Sequence, residues 1–512
     1  MKQVSDVRDI GNRKWWAAGA ISLAAIAFSL DLTVLNLALP TLSHSLHAST
    51  NQLQWIADAY SLVLAILTLP AGMLGDRYGR KKFMLLALVI FGAASAWCAY
   101  STSVNMLICA RLLLGVGAAF ILPLAMSTVP IYFKPEERTK ALAILMGGVM
   151  LAYPLGPILG GWLLTYFWWG SVFLINVPVV LIALLAVALL LPESKSRVKS
   201  SIDIGGIVLS SLALSGITYG AIEAESIGWG AHRVVASLVA GIILLPVFFA
   251  WERRVVRAKR QPLIDIRLFS SAAFTGGTLM MTSVNFALFG LLFGLPQYLE
   301  AVRGDKPLTA GYYLLPMVVG LMIGSVVSAK LSKKLDPKLA VAIGFAIMAA
   351  GLLAGTRTTL GSSDLFTVLW SGIIGLGLGS AMPNVATVAL SPLSADRSAS
   401  GTATISAVRQ VGGTLGIALL GTLLGASYRS QLHFLSFPSQ LTSVIRSSVV
   451  GGVTVAQKLH SAPLLSGVRA AFVHGMDMML WVCGGIALAA MLLSLIVLPR
   501  ATATSKRKAA RA

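Results

Sequence analysis

The segment GMLGDRYGRKK, residues 72–82, joins two apolar runs at roughly 55–74 and 83–100. Each run is long enough to cross about 30 Å of hydrocarbon as an α-helix, so this short join must reverse the chain between two spans. Its residues suit that task. Gly72, Gly75 and Gly79 remove side-chain bulk where helices approach and where the backbone turns sharply. Asp76 can accept hydrogen bonds from a helix terminus or an arginine, and Arg77, Arg80, Lys81 and Lys82 hold the turn in water on one side of the membrane. Staying on one side needs only the basic residues. The spacing of the glycines and the aspartate asks for a further structural role.

Outward from this segment the same texture continues. The 512-residue chain is 56% hydrophobic and only 12% charged, far from the usage of a soluble protein. Spans are predicted at 15–40, 55–74, 83–100, 106–132, 141–164, 171–192, 204–223, 233–252, 272–300, 309–329, 339–356, 365–391, 397–428 and 470–498. That is an all-α, multi-pass membrane protein of fourteen helices, with no large soluble domain between them. The first run is read as a retained span, because no small-residue cleavage site follows it.

The formal net charge of +21 is explained by where the charge lies. If the loops alternate sides, only eight of the 40 Lys and Arg fall opposite the 72–82 turn: Arg233, Arg303, Lys306, Arg357, Arg429, Arg446, Lys458 and Arg469. Arg111 and Arg409 lie within spans. This bias places both termini in the cytoplasm and the chain in the cell membrane. It also predicts attraction to anionic lipid at the inner surface, and it removes the need for a nucleic-acid partner. The three cysteines, at 98, 109 and 483, have no metal-ligand spacing, so no metal is expected.

Two basic loops, 193–203 and 252–269, bracket the seventh and eighth spans. The expected plan is six spans, two inserted spans and six spans: a first bundle over 1–192, an inserted pair over 193–271, a second bundle over 272–498 with a long outer loop at 429–469, and a basic tail at 499–512. Weak internal repetition supports two related bundles. GVGAAFILP (115–123) and GLGLGSAMP (375–383) share Gly-x-Gly followed by proline at the same distance. SAKLSKKL (328–335) occupies the place in the second half that GDRYGRKK has in the first, but it has Ala329 for Asp76 and Ser332 for Gly79. Such symmetry between halves is usual in transporters built from repeats.

With these segments in hand, the chain resembles the major facilitator superfamily, whose signature loop residues 72–82 match almost completely. LDLTVLNLALP (30–40), LICARLLLGVGAA (107–119) and GGVMLAYPLGPILGGWL (147–163) resemble the first-, fourth- and fifth-span motifs of its fourteen-span drug:proton antiporters. QWIADAYSLVLA (54–65) and FWWGSVFLINVP (167–178) look like the branch that exports quaternary ammonium compounds and methyl viologen. The resemblance implies that Gly156, Pro157, Gly160 and Gly161 of the fifth span lie where the two bundles meet, and that a kinked, glycine-lined face there slides or seals as access alternates.

Carboxylates inside spans are costly, and each is a candidate functional group. Asp31, Asp58 and Glu300, with Arg111 beside the first two, are the candidate proton-coupling or cation-binding residues. Asp31 is nine residues before Pro40, so about 13 Å from the outer end of a helix that stops there. Asp58 lies just inside the second span, Glu300 closes the ninth, and Asp477, early in the last span, is a weaker candidate. A polyspecific cavity needs apolar and aromatic lining with few acids. Phe28, Asn36, Tyr60, Met126, Asn285, Phe286, Phe289, Met382 and Asn384 lie on the spans expected to border it.

The expected function is efflux of lipophilic cations in exchange for protons, by a chain working as a monomer without cofactor. No G-x-x-x-x-G-K-[ST] loop is present to support nucleotide drive, and no catalytic cluster suggests an enzyme. The same fold exporting a lipid, siderophore or metabolite is a second reading, and a non-transporting membrane receptor or assembly factor is a third.

Overall fold

The computed structural model describes residues 13–133, 135–195, 203–258, 260, 262–393, 395–432 and 438–498. The tail 499–512, part of the loop after the sixth span, and the side chains of 331–334 in the second-half loop lie outside the described residues. Within them, fourteen helices are long and apolar enough to cross a membrane.

The first half contains α1 (Arg13–Leu46), α2 (Thr50–Tyr78), α3 (Arg80–Ala99), α4 (Val104–Tyr132), α5 (Pro135–Tyr166), and the broken pair α6 (Ser171–Leu174) and α7 (Asn176–Leu190). The inserted pair is α8 (Ile204–Ile227) and α9 (His232–Arg257). The second half contains α10 (Ala272–Gln297), α11 (Pro307–Lys334), α12 (Pro337–Gly355), α13 (Asp364–Leu390) and α14 (Ala395–Ser430), then short α15 (Ser439–Ser447) and α16 (Val449–Lys458), and last α17 (Ala462–Val497). The α2–α3 turn marks the basic end of the bundle. The α1–α2 turn lies at the opposite end.

Local chemistry sets the helix ends. At the opposite end Ser49 caps α2 in a reciprocal box with Gln52, while Ser103, Ser363 and Ser461 cap α4, α13 and α17 through their side chains. Each cap satisfies a backbone N–H that the helix itself leaves free. Two boundaries differ from the sequence expectation. Pro40 lies inside α1, which runs on to Leu46, because one lost hydrogen bond does not outweigh the packing around it. Asp31 is therefore near the middle of its helix, about 22 Å from the opposite end, and the expected shallow position is wrong. The last span begins at Ala462, and the loop before it holds α15 and α16. These pack over the opposite end, where the Tyr428 hydroxyl donates to Ile445 O at 2.7 Å.

The two halves reuse one packing device. A Cβ on Gly115 would lie 2.9 Å from Val63 Cβ of α2, and one on Gly117 would lie 2.7 Å from Phe91 N of α3. Their counterparts repeat the arrangement: Gly375 abuts Met317 of α11, with Met317 Cα at 2.9 Å, and Gly377 abuts Met348 of α12, with Met348 Cα at 2.5 Å. In each half, Gly-x-Gly lets the fourth span touch the backbones of the second and third.

The side-chain hydrogen bonds that join the halves gather at the opposite end. Gln54 Nε2 donates to Ile417 O (3.3 Å) and Ala418 O (3.1 Å), Thr50 Oγ1 donates to Ser447 O (3.0 Å), and Leu308 N donates to Thr165 Oγ1 (3.2 Å). The inserted helix α8 packs against both α2 and α14, whereas α9 packs on α8 and is the least buried of the fourteen.

Candidate functional site

Asp31 sits in a fully buried network drawn from six helices of the first half. Arg111 Nη1 of α4 donates to Asp31 Oδ2 at 2.8 Å, with side chains 1% and 2% exposed. Arg111 Nε donates to Ile56 O of α2 at 3.2 Å, and its guanidinium lies 4.3 Å from the Tyr60 ring centroid. Asn176 Nδ2 of α7 reaches Asp31 Oδ1 at 3.3 Å and Ser95 Oγ of α3 at 3.2 Å, and Ser95 Oγ in turn donates to Phe173 O at 2.8 Å. A buried ion pair of this kind is tolerated because both charges are matched and hydrogen-bonded. Asp31, Arg111 and Tyr60 thus form a brace. Tyr60, expected in a cavity wall, is buried inside that brace.

Asp58 is different. It is fully buried, yet neither carboxylate oxygen has a hydrogen-bond partner among the described residues. It lies one helical turn from Gln54 on α2, the face turned to α14 in the other half. Gly421 on α14 makes room for Gln54: a Cβ there would lie 3.0 Å from Gln54 Cδ. The inserted pair closes the same corner, since Asn51 Nδ2 donates to Ile222 O (2.9 Å), Trp55 Nε1 to Glu223 Oε1 (3.1 Å) and Thr422 Oγ1 to Ala221 O (2.8 Å). Asp58 therefore sits in a joint of three segments, with a charge-bearing group that nothing yet satisfies.

The fifth-span motif divides between two tasks. Gly156 and Gly160 face α1 in their own half: a Cβ on Gly156 would lie 2.7 Å from Thr33 Cβ, and one on Gly160 would lie 3.0 Å from Val34 Cγ1. Pro157 and Gly161 face the other half. A Cβ on Gly161 would be 2.7 Å from both Leu308 Cα and Pro307 O, while Gly311 of α11 lies against Pro157 O. The expectation that all four line the contact between bundles is corrected: helical periodicity turns alternate members of GPILGG toward different neighbours.

At the basic end, Gly79 adopts φ 128°, a conformation open to glycine. Asp76 Oδ1 forms an ion pair with Arg80 Nη2 at 2.8 Å. Glu193, from the end of the sixth span, accepts from the Lys81 and Lys82 backbone N–H groups at 3.2 and 3.1 Å, satisfying the free amides that start α3. Gly72 and Gly75 adjoin Pro123 and Leu124 of α4, and Arg77 lies over the Tyr78 ring.

The remaining candidates scatter. Glu300 lies in a π-helical turn, Tyr298–Val302, with one oxygen unpartnered. Asn36, Asn285 and Asn384 donate to backbone carbonyls, of Leu32, Arg409 and Ser380. Phe28, Phe289 and Met382 are half-buried and Met126 is exposed. Phe286 lines a groove of about 320 Å³ on the flank of the second half, with Trp229, Leu419 and Val482, rather than a central cavity. Sequence reasoning missed Asn176, Gln54 and Glu252. Gln54 had a signal, its place four residues before Asp58 on one helix face. Glu252 of α9 is buried beside Asp203, two carboxyl groups side by side.

Known proteins account for this architecture. The family model of the Major Facilitator Superfamily matches residues 21–417. The tetracenomycin C resistance and export protein of Streptomyces glaucescens is 31% identical, over 93% of this chain and 90% of its own. The methyl viologen resistance protein SmvA of Salmonella typhimurium is 31% identical, over 90% of this chain and 93% of its own. Among solved structures, a bacterial homologue of the human lysosomal transporter Spinster superposes with a TM-score of 0.68 at 18% identity, covering 96% of this chain and 99% of that one. The chain belongs to the Major Facilitator Superfamily.

Proposed function

We propose that this member of the Major Facilitator Superfamily is a drug exporter that moves lipophilic cations, quaternary ammonium compounds among them, out of the cell in exchange for protons. The observation that carries the reading is Asp58, a buried carboxylate without a partner, set in the contact between the halves. An ionised carboxylate is expensive to bury unpaired, so the charge on Asp58 and the closing of that contact are thermodynamically linked. That linkage is what an antiporter needs. Asp31, held by Arg111, braces the first half instead.

The bias of basic residues supports placing the basic end and both termini in the cytoplasm. The joined end then faces outward. The resistance proteins among the relatives support a drug as cargo, and the methyl viologen relative supports a quaternary cation. The reading takes the chain as a monomer surrounded by lipid, using neither cofactor nor nucleic acid.

Efflux of ethidium from inverted vesicles is the test. It should collapse on adding a protonophore and survive ATP depletion while the gradient is maintained. Asp58→Asn, which cannot exchange a proton at neutral pH, should abolish drug-induced proton release from proteoliposomes. Vanadate-sensitive transport indifferent to the protonophore, or normal proton release from Asp58→Asn, would overturn the reading.

A further inference from the structure

Three buried polar groups from three different segments meet at one level of the bundle. The register on either side places them. One turn toward the opposite end, Gln54 on α2 bonds Ile417 and Ala418 on α14, while Ala221 and Ile222 on α8 pack with Ala418 and Trp55. One turn toward the basic end, Leu62 and Ala65 on α2 pack with Leu214 on α8 and with Val411 and Leu415 on α14. At the intervening level α2 presents Asp58 and α8 presents Thr218, while α14 presents Thr414, one turn from Ala418 and flanked by Val411 and Leu415 of the lower layer. All three are fully buried, and the Asp58 carboxylate, the Thr218 hydroxyl and the Thr414 hydroxyl each lack a hydrogen-bond partner among the described residues.

Buried polar groups are rarely left unsatisfied, because each loses its hydrogen bonds to water on burial. The three share one level between apolar contacts, with Gln54 Oε1 one turn toward the opposite end on α2 and Gln410 Nε2 one turn toward the basic end on α14 also unpartnered among the described residues. We propose that Thr218 and Thr414 are the hydrogen-bond partners of Asp58, reached by side-chain rotation or through one bridging water with those three partners. A hydroxyl suits the role because it donates to an ionised carboxylate and accepts from a protonated one.

The consequence concerns the inserted pair. Thr414 belongs to the half that must part from α2 when the opposite end opens, whereas Thr218 belongs to α8, which packs on both halves. Opening the joint removes one partner of Asp58, and α8 determines whether the other stays. Thr218 is thus a positioning residue through which the two additional spans act on the exchangeable proton. Other charged or titratable groups on the helices around this joint are Arg111, Asp31 and Tyr60 in the brace, Glu223 near the opposite end of α8, and Arg409 one to two turns below Thr414 on α14.

The inference rests on Asp58 being the exchangeable group, and the test separates the two. Infrared difference spectra of the purified full-length protein, with and without ethidium, identify the Asp58 carboxyl band as the one lost in Asp58→Asn. Thr218→Val and Thr414→Val keep side-chain shape and remove the hydroxyl. Each should displace that band and lower proton-coupled ethidium efflux about tenfold, the worth of one hydrogen bond to a charged group. Thr218→Ser should restore both. An undisplaced Asp58 band in both valine variants would overturn the partnership while leaving Asp58 as the proton group. Normal proton release from Asp58→Asn would instead remove the reading on which the partnership rests. A valine variant that unfolds is distinguished by its melting temperature, and the alanine variant at the same position, which also lacks the hydroxyl, then decides through the band position.

Discussion

Gly161→Ala adds one methyl group at the point where α5 of the first half meets the start of α11 in the second. Its Cβ would lie 2.7 Å from Leu308 Cα and 2.7 Å from Pro307 O, both backbone atoms that cannot rotate aside. Favourable carbon contacts lie near 3.5–4.0 Å, so the helices must separate by roughly 1 Å. Overpacking of this sort costs about 1–3 kcal/mol. The cost falls only on the conformation in which the halves touch at this end, so the equilibrium should move about 5- to 150-fold toward the form opened there. Gly160→Ala is the control. Its Cβ meets the side chain of Val34 in its own half at 3.0 Å, a contact that can yield without moving the halves apart. With the free cysteines Cys98, Cys109 and Cys483 replaced by alanine, spin labels at Thr102→Cys and Leu360→Cys report the separation of the halves at this end by pulsed electron resonance. Gly161→Ala should lengthen the dominant distance and slow ethidium efflux, and Gly160→Ala should do neither. Unchanged distances and efflux in Gly161→Ala would refute the assignment of this contact as part of the closed end.

Three further outcomes follow from the same geometry. Asp31→Asn should destabilise the protein by about 3–5 kcal/mol by stranding buried Arg111, and Asp31→Asn combined with Arg111→Gln should recover most of the melting temperature while retaining drug-induced proton release; a stable double variant without proton release would return Asp31 to the exchange mechanism. Gly79→Ala should cost about 1–2 kcal/mol in thermal unfolding, since φ 128° strains any side chain and the new Cβ would sit 2.8 Å from Glu193 Oε1; an unchanged melting curve would show that the turn relaxes freely. Glu252→Gln should leave stability unchanged or raised, because it replaces one of two carboxyl groups buried side by side with a neutral group of the same shape; a large loss of stability would show that the folded protein needs the Glu252 carboxyl itself.

Much of this protein was legible in its sequence because the bilayer imposes a simple rule. Each span must satisfy its own backbone, so apolar length alone marks fourteen helices, and glycine, proline and charge mark the turns between them. The pairing of Asp31 with Arg111 was legible as one of two alternatives, since two opposite charges in neighbouring apolar helices have strong reason to meet. Helix length was less legible: Pro40 reads as a stop, but tertiary packing carries α1 past it and leaves Asp31 near the middle of its helix. The faces of GPILGG were also hidden, because the direction of each glycine depends on which neighbours surround the helix. Above all, nothing local distinguishes Asp58 from Asp31, and nothing marks Thr218 and Thr414 among the many small polar residues of the spans. Those three become a unit only when segments more than 150 residues apart are brought to one level. A sequence states which groups must be buried; which of them are left without a partner depends on what the fold places opposite them.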